Sequence, residues 1–109
     1  CDLDGVLASH ETEWGIAKIG QPIKPMIDKV KGWLSKGYRV TIFTSRVSKY
    51  FDDEIVREQY LMVYRFLIAN GLSGLPVTAD NSPECSHFID DRAYHVLRNK
   101  GVISDKIDI

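Results

Sequence analysis

The chain has 109 residues, enough to bury one hydrophobic core and too few for two. With 44% hydrophobic and 27% charged residues, the composition is that of a folded globular domain and excludes disorder and collagen-like repeats. Fourteen basic against 15 acidic side chains leave a net charge of −1, too little for a broad field that holds nucleic acid by its phosphates, so that partner is allowed but not favoured.

Cys1-Asp2-Leu3-Asp4 reads as the last step of a β-strand whose apolar beginning lies upstream, so a few residues of a first strand are expected before Cys1. Asp2 and Asp4 also interrupt the segment in a way no signal-peptide core tolerates. No apolar run approaches the ~20 residues a membrane span requires. The expectation is a soluble, cytoplasmic protein with no membrane partner. Cys1 and Cys85 have no metal-ligand spacing and read as reduced thiols.

Ser9 to Gln21 is polar, carries two glycines and Trp14, and reads as a long loop. Trp14 serves there either to pack the loop or to lie over a crevice. Pro22 and Pro25 then open a helix in which Met26, Ile27, Val30, Trp33 and Leu34 recur at the 3.6-residue period, with Gly37 as its stop. Tyr38 to Thr44 is β-branched and aromatic, the pattern of a strand covered on both faces. A second helix starts at Asp52 or Asp53 and runs through Ile55, Val56, Tyr60, Val63, Tyr64, Leu67 and Ile68 to Asn70-Gly71. Leu75 to Thr78 and His87 to Ile89 are short strands, Tyr94 to Leu97 is a weaker one, and Asn99-Lys100-Gly101 is a turn.

Strands alternating with helices predict an α/β fold: one domain over residues 1–109, a three-layer Rossmann-like parallel sheet with helices on both faces. Sheets of that kind bind ligands at the carboxyl ends of their strands. Asp2 and Asp4, Thr44 and Ser45, Asn81, and Asp90 and Asp91 all fall at such ends. Four aspartates in one crevice repel one another unless a cation neutralises them, and hard oxygen ligands suit Mg²⁺, which brings phosphate with it. A Thr hydroxyl donates to a phosphate oxygen. An ionised Asp attacks phosphorus without a separate base, and a second carboxylate two residues on protonates the leaving oxygen and later activates water.

These residues resemble the motifs of the haloacid dehalogenase superfamily. Asp2-Leu3-Asp4-Gly5-Val6 is similar to its DxDG(T/V) first motif, Thr44 in IFTSR to its second, and Phe88-Ile89-Asp90-Asp91 to a DD-type fourth. The stretch IGQPIKPMIDKVKGWLSKGYRVTIFTSR (19–46), with PVT and DDRA further on, resembles a small uncapped subgroup found in phages and bacteria. The resemblance implies a Mg²⁺-dependent phosphatase without a cap domain. Asp2 is then the nucleophile, Asp4 the general acid/base and Thr44 the phosphate donor. Asp2, Asp4, Asp90 and Asp91 hold the metal, with Asp91 preferred over Asp90 as the direct ligand, and Gly5, Ser45 and Arg46 line the substrate side.

One position departs from the pattern. The superfamily's third-motif lysine corresponds here to Asn81, which can donate a hydrogen bond but carries no charge. Either Asn81 acts in the lysine's place or Asp80-Asn81-Ser82-Pro83 is simply a turn. Arg46, Lys49 and Lys100 are the candidates for a substitute cation. Arg92 is expected to orient the acidic loop through a salt bridge. With about 40 residues between the first two motifs and a helix among them, no domain-sized cap fits, so the crevice is expected to be open to a phosphate on a small molecule or one exposed on a macromolecule. The alternative function is a catalytically weak phosphate-binding or regulatory module, a consequence of Asn81. A receiver-type signalling domain is disfavoured because the second acidic group comes after the fourth strand.

Overall fold

The computed structural model describes residues 1–10 and 16–104. Trp14 lies outside the described residues. Among the described residues, two helices and four two-residue strands follow one another in the order α1 (Lys24–Ser35), β1 (Ile42–Phe43), α2 (Asp53–Ala69), β2 (Val77–Thr78), β3 (His95–Val96) and β4 (Ile103–Ser104), with a 3₁₀ turn at Ser45–Val47.

Both helices sit where proline, glycine and periodicity place them. Pro25 occupies the first turn of α1, where a missing N–H costs nothing. Ile27 and Val30 turn inward at the helical spacing. Beyond the last turn, Gly37 takes a φ of 90°, a left-handed conformation that ends the helix without a Cβ clash. Asp53 and Glu54 place negative charge at the start of α2, and Gln59, Val63 and Leu67 form its buried stripe at intervals of four. These faces meet Leu3, Leu7 and Ile42 in a single core.

The three-layer parallel sheet is not what forms. β1 and β2 pair in parallel, Ile42 opposite Val77 and Phe43 opposite Thr78, and that sheet has two strands. The opening segment joins it through one bridge, Asp2 with Phe43. On its other side the Asp2 N–H donates to the Ile89 carbonyl at 2.8 Å, but residues 87–89 build no ladder. The expected strand over Tyr38 to Thr44 is likewise a ladder only at Ile42 and Phe43. The predicted last strand does form, yet it pairs antiparallel with β4. Asn99 and Gly101, with φ of 63° and 65°, reverse the chain there instead of carrying it across a sheet. Tyr94, Val96 and Ile103 of this hairpin are exposed, so it adds no layer. Two helices and a two-stranded sheet cannot supply helices on both faces of a wide sheet. What positions the site is narrower: Cys1–Asp2 lies between β1 and the segment ending in Asp90-Asp91.

Among the described residues no helix is long and apolar enough to cross a membrane. Both cysteines are free thiols.

Candidate functional site

Leu3 is fully buried, and its carbonyl accepts from the amides of Val6, Leu7 and Ala8. The chain therefore turns tightly after Asp2, with Gly5 at a φ of 86°. Alternation along an extended segment would put Asp2 and Asp4 on one side. The turn sends their carboxyl groups to different partners.

Asp2 joins Asp90 and Asp91: one ligand oxygen from each lies within 4.8 Å of the other two. The Asp90 carboxylate is fixed by the Arg92 amide, which donates to its Oδ1 at 2.7 Å. Arg92 thus orients this loop through its backbone; among the described residues its guanidinium makes no ion pair. Asp91 lies over Gly5, where a Cβ would come within 2.5 Å of Asp91 Oδ2. Glycine is required there both for its φ and for its missing side chain. Burial pushes the Asp2 carboxyl up to about 6 from an ordinary 3.8; the charges of Asp90 and Asp91 add to this, while the Leu3 N–H, donating to Asp2 Oδ1 at 2.8 Å, works against it. Three carboxylates that offer only oxygen, close together, Asp2 and Asp90 half-buried and Asp91 exposed, are a donor set suited to a hard divalent cation.

Asp4 has gone elsewhere. Arg46 Nε donates to its Oδ2 at 2.8 Å and Arg46 Nη2 to its Oδ1 at 2.9 Å, a two-pronged pair whose side chains are 2% and 12% exposed. Two further guanidinium donors reach the Gln59 Oε1 of α2 at 3.0 Å and the Lys18 carbonyl at 2.8 Å. Gln59 in turn donates to the Ile16 carbonyl at 2.7 Å. Arg46 is thereby committed to the interior rather than to the substrate side assigned to it from the motif. Gln59 is the member of this network that the sequence reading passes over. Its signal was available, since a polar residue repeating with Val63 and Leu67 on a buried stripe must find a partner.

The other expected residues are placed as follows. Thr44 is buried; its amide donates to the Thr78 carbonyl at 2.9 Å, and its Oγ1 accepts from the Arg46 amide at 3.2 Å. It follows Phe43, the bridge partner of Asp2, in the chain. Ser45 is exposed on the 3₁₀ turn. Asn81 is exposed and lines a cavity of about 630 Å³ that reaches Cys1 and Phe43. That cavity is not walled by Asp2, Asp90 or Asp91. Lys49 and Lys100 are exposed, the latter in the β3–β4 turn.

Compared with protein-family models, curated proteins and solved structures, the chain matches none.

Proposed function

We propose that the chain is a Mg²⁺-dependent phosphomonoester hydrolase of haloacid dehalogenase type, acting through an aspartyl-phosphate on Asp2. The observation that carries this reading is the meeting of Asp2 with Asp90 and Asp91, residues at opposite ends of the sequence. Asp2, Asp90 and Asp91 would hold the cation, which supplies charge neutralisation at the carboxylates and at the phosphate oxygens. Because Asp2 Oδ1 already accepts from Leu3, Oδ2 is the atom left to attack phosphorus. The Asp2 O–P bond forms as the ester P–O bond breaks and the alcohol or phenol leaves, and water later attacks phosphorus, breaking the Asp2 O–P bond to free the carboxylate and release inorganic phosphate. The Thr44 hydroxyl donates to a non-bridging oxygen. Asp4, with both oxygens held by Arg46, stays with the framework in this arrangement, and the attacking water gives its proton to solvent. Leaving groups that depart without a proton are then favoured, so aryl phosphates turn over faster than alkyl ones.

Phosphate release from an aryl phosphate is expected in the presence of Mg²⁺, and its loss in Asp2→Asn. Release unchanged in that variant removes the proposal.

The Arg46–Asp4 pair favours a second reading, in which the site binds phosphate but turns over negligibly. With Arg46 committed to Asp4, it is not the substitute cation for the missing lysine. Asn81→Lys separates the two readings. A gain of about 10²–10³ in rate supports the weak module, because that is the worth of one electrostatic contact in a transition state. An unchanged rate supports the hydrolase.

A further inference from the structure

Residues 91–103 are exposed without exception, and they carry most of the β3–β4 hairpin. Its ladder is short: Val96 lies opposite Ile103, and the Leu97 amide donates to the Val102 carbonyl at 2.8 Å before the chain reverses. A lone pair of strands is marginal in water, and this one shows apolar side chains on both faces, Val96 and Ile103 on one, Leu97 and Val102 on the other. Its charge is one-sided as well. Residues 92–104 hold Arg92, Arg98 and Lys100 and no aspartate or glutamate, so the acidic excess lies in the rest of the chain. Among the described residues none of these three cations makes an ion pair. Tyr94 is 79% exposed and stands three residues beyond Asp91, which limits their Cα atoms to about 11 Å apart.

The charge and its placement select the occupant. A second copy docking face to face would set these cations against their own equivalents. A bilayer would meet the turn Arg98-Asn99-Lys100-Gly101 first, and that tip is polar, with the apolar groups back on the stems. A single-stranded nucleic acid asks for what is present: cations for successive phosphates and an exposed ring on which a base stacks. The near-zero charge of the whole chain does not oppose this, because the positive field is confined to one arm.

We propose that the β3–β4 hairpin is a docking arm for single-stranded nucleic acid, with Arg92, Arg98 and Lys100 on its phosphates, Tyr94 against a base, and a terminal phosphate delivered to Asp2, Asp90 and Asp91. The arm names the substrate class of the hydrolase proposed above and rests on that reading for the reacting end.

Fluorescence anisotropy and phosphate release test this with an oligothymidylate of about 12 nucleotides, within the footprint of single-strand surfaces, phosphorylated at its 5′ or its 3′ end. Binding should weaken as salt rises, with a logarithmic slope of about −2 for three cations on a single strand. Arg98→Glu with Lys100→Glu should lower the ratio of kcat/KM for the oligonucleotide to that for an aryl phosphate by about tenfold or more. Tyr94→Ala should weaken oligonucleotide binding about fivefold or more. Circular dichroism checks that α1 and α2 are intact in these variants. Binding that neither variant changes overturns the proposal, as does binding to phosphatidylserine vesicles but not to the oligonucleotide, or a dimer that Tyr94→Ala dissolves. Turnover of the aryl phosphate without oligonucleotide binding overturns this inference and keeps the hydrolase reading. Oligonucleotide binding that both variants weaken, with no turnover of either phosphate, supports the arm and removes the hydrolase reading alone.

Discussion

Asp2 and Asp4 are separated by one leucine, and their environments are opposite. Asp4 is neutralised by a guanidinium that is itself held by Gln59 and by the Lys18 carbonyl. Asp2 faces two more carboxylates and is driven upward by burial. A buried acid with an internal partner is structure; a partly buried acid among other acids is a place for something the chain does not itself supply. The contrast separates the aspartate that belongs to the framework from the three that point to chemistry.

The widest separation should appear in turnover. Asp2→Asn is expected to lower phosphate release by about 10⁴ or more with the fold intact, measured with an aryl phosphate and by circular dichroism. Arg46→Met should do the reverse, leaving the Asp4 carboxylate buried without its partner at a cost of about 3–5 kcal/mol, read from chemical denaturation. Loss of stability with Asp2→Asn and none with Arg46→Met would exchange the two roles. Gly5→Ala should be milder, about 1–2 kcal/mol for its left-handed backbone, with a fall in Mg²⁺ affinity because its Cβ displaces Asp91.

The smallest effect is that of pH. The Asp2 carboxyl is raised in the folded chain, so between 3.8 and about 6 the native state binds more protons than the unfolded one. Its contribution to stability is present below 3.8 and is lost as pH rises through about 6. Asp2 is only half-buried, and solvent screening keeps the change modest. Thermal midpoints without divalent cation should fall across that window, and saturating Mg²⁺ should remove the fall. A midpoint that rises across it would contradict a raised Asp2 carboxyl.

The helices were legible because their signals are local: Pro25 and Gly37 bracket one, Asp52 and Asn70 the other, and the apolar period fills both. The sheet was not, because a β-branched run such as Tyr38 to Thr44 records a preference for extension and says nothing of whether a neighbour pairs along its whole length. The hairpin of β3 and β4 was missed for a related reason. Asn99 and Gly101 were read as a turn, but the partner strand beyond it carries too few apolar residues to announce itself. At the site, the meeting of Asp2 with Asp90 and Asp91 was legible, though not as strand ends of one sheet, since residues 87–89 build no ladder. The fate of Asp4 was not, since a two-pronged pair with Arg46 depends on α2 bringing Gln59 to the same point.

The central claim is that Asp2, Asp90 and Asp91 share one divalent cation. Titration of Mn²⁺ into isotopically labelled protein tests it directly, because paramagnetic broadening falls steeply with distance from the ion. At substoichiometric Mn²⁺ the resonances of Asp2, Gly5, Asp90 and Asp91 should vanish first, Mg²⁺ should restore them, and Asp91→Asn should weaken the effect. Broadening centred on any other part of the chain, or unaltered by Asp2→Asn and Asp91→Asn, would contradict the account.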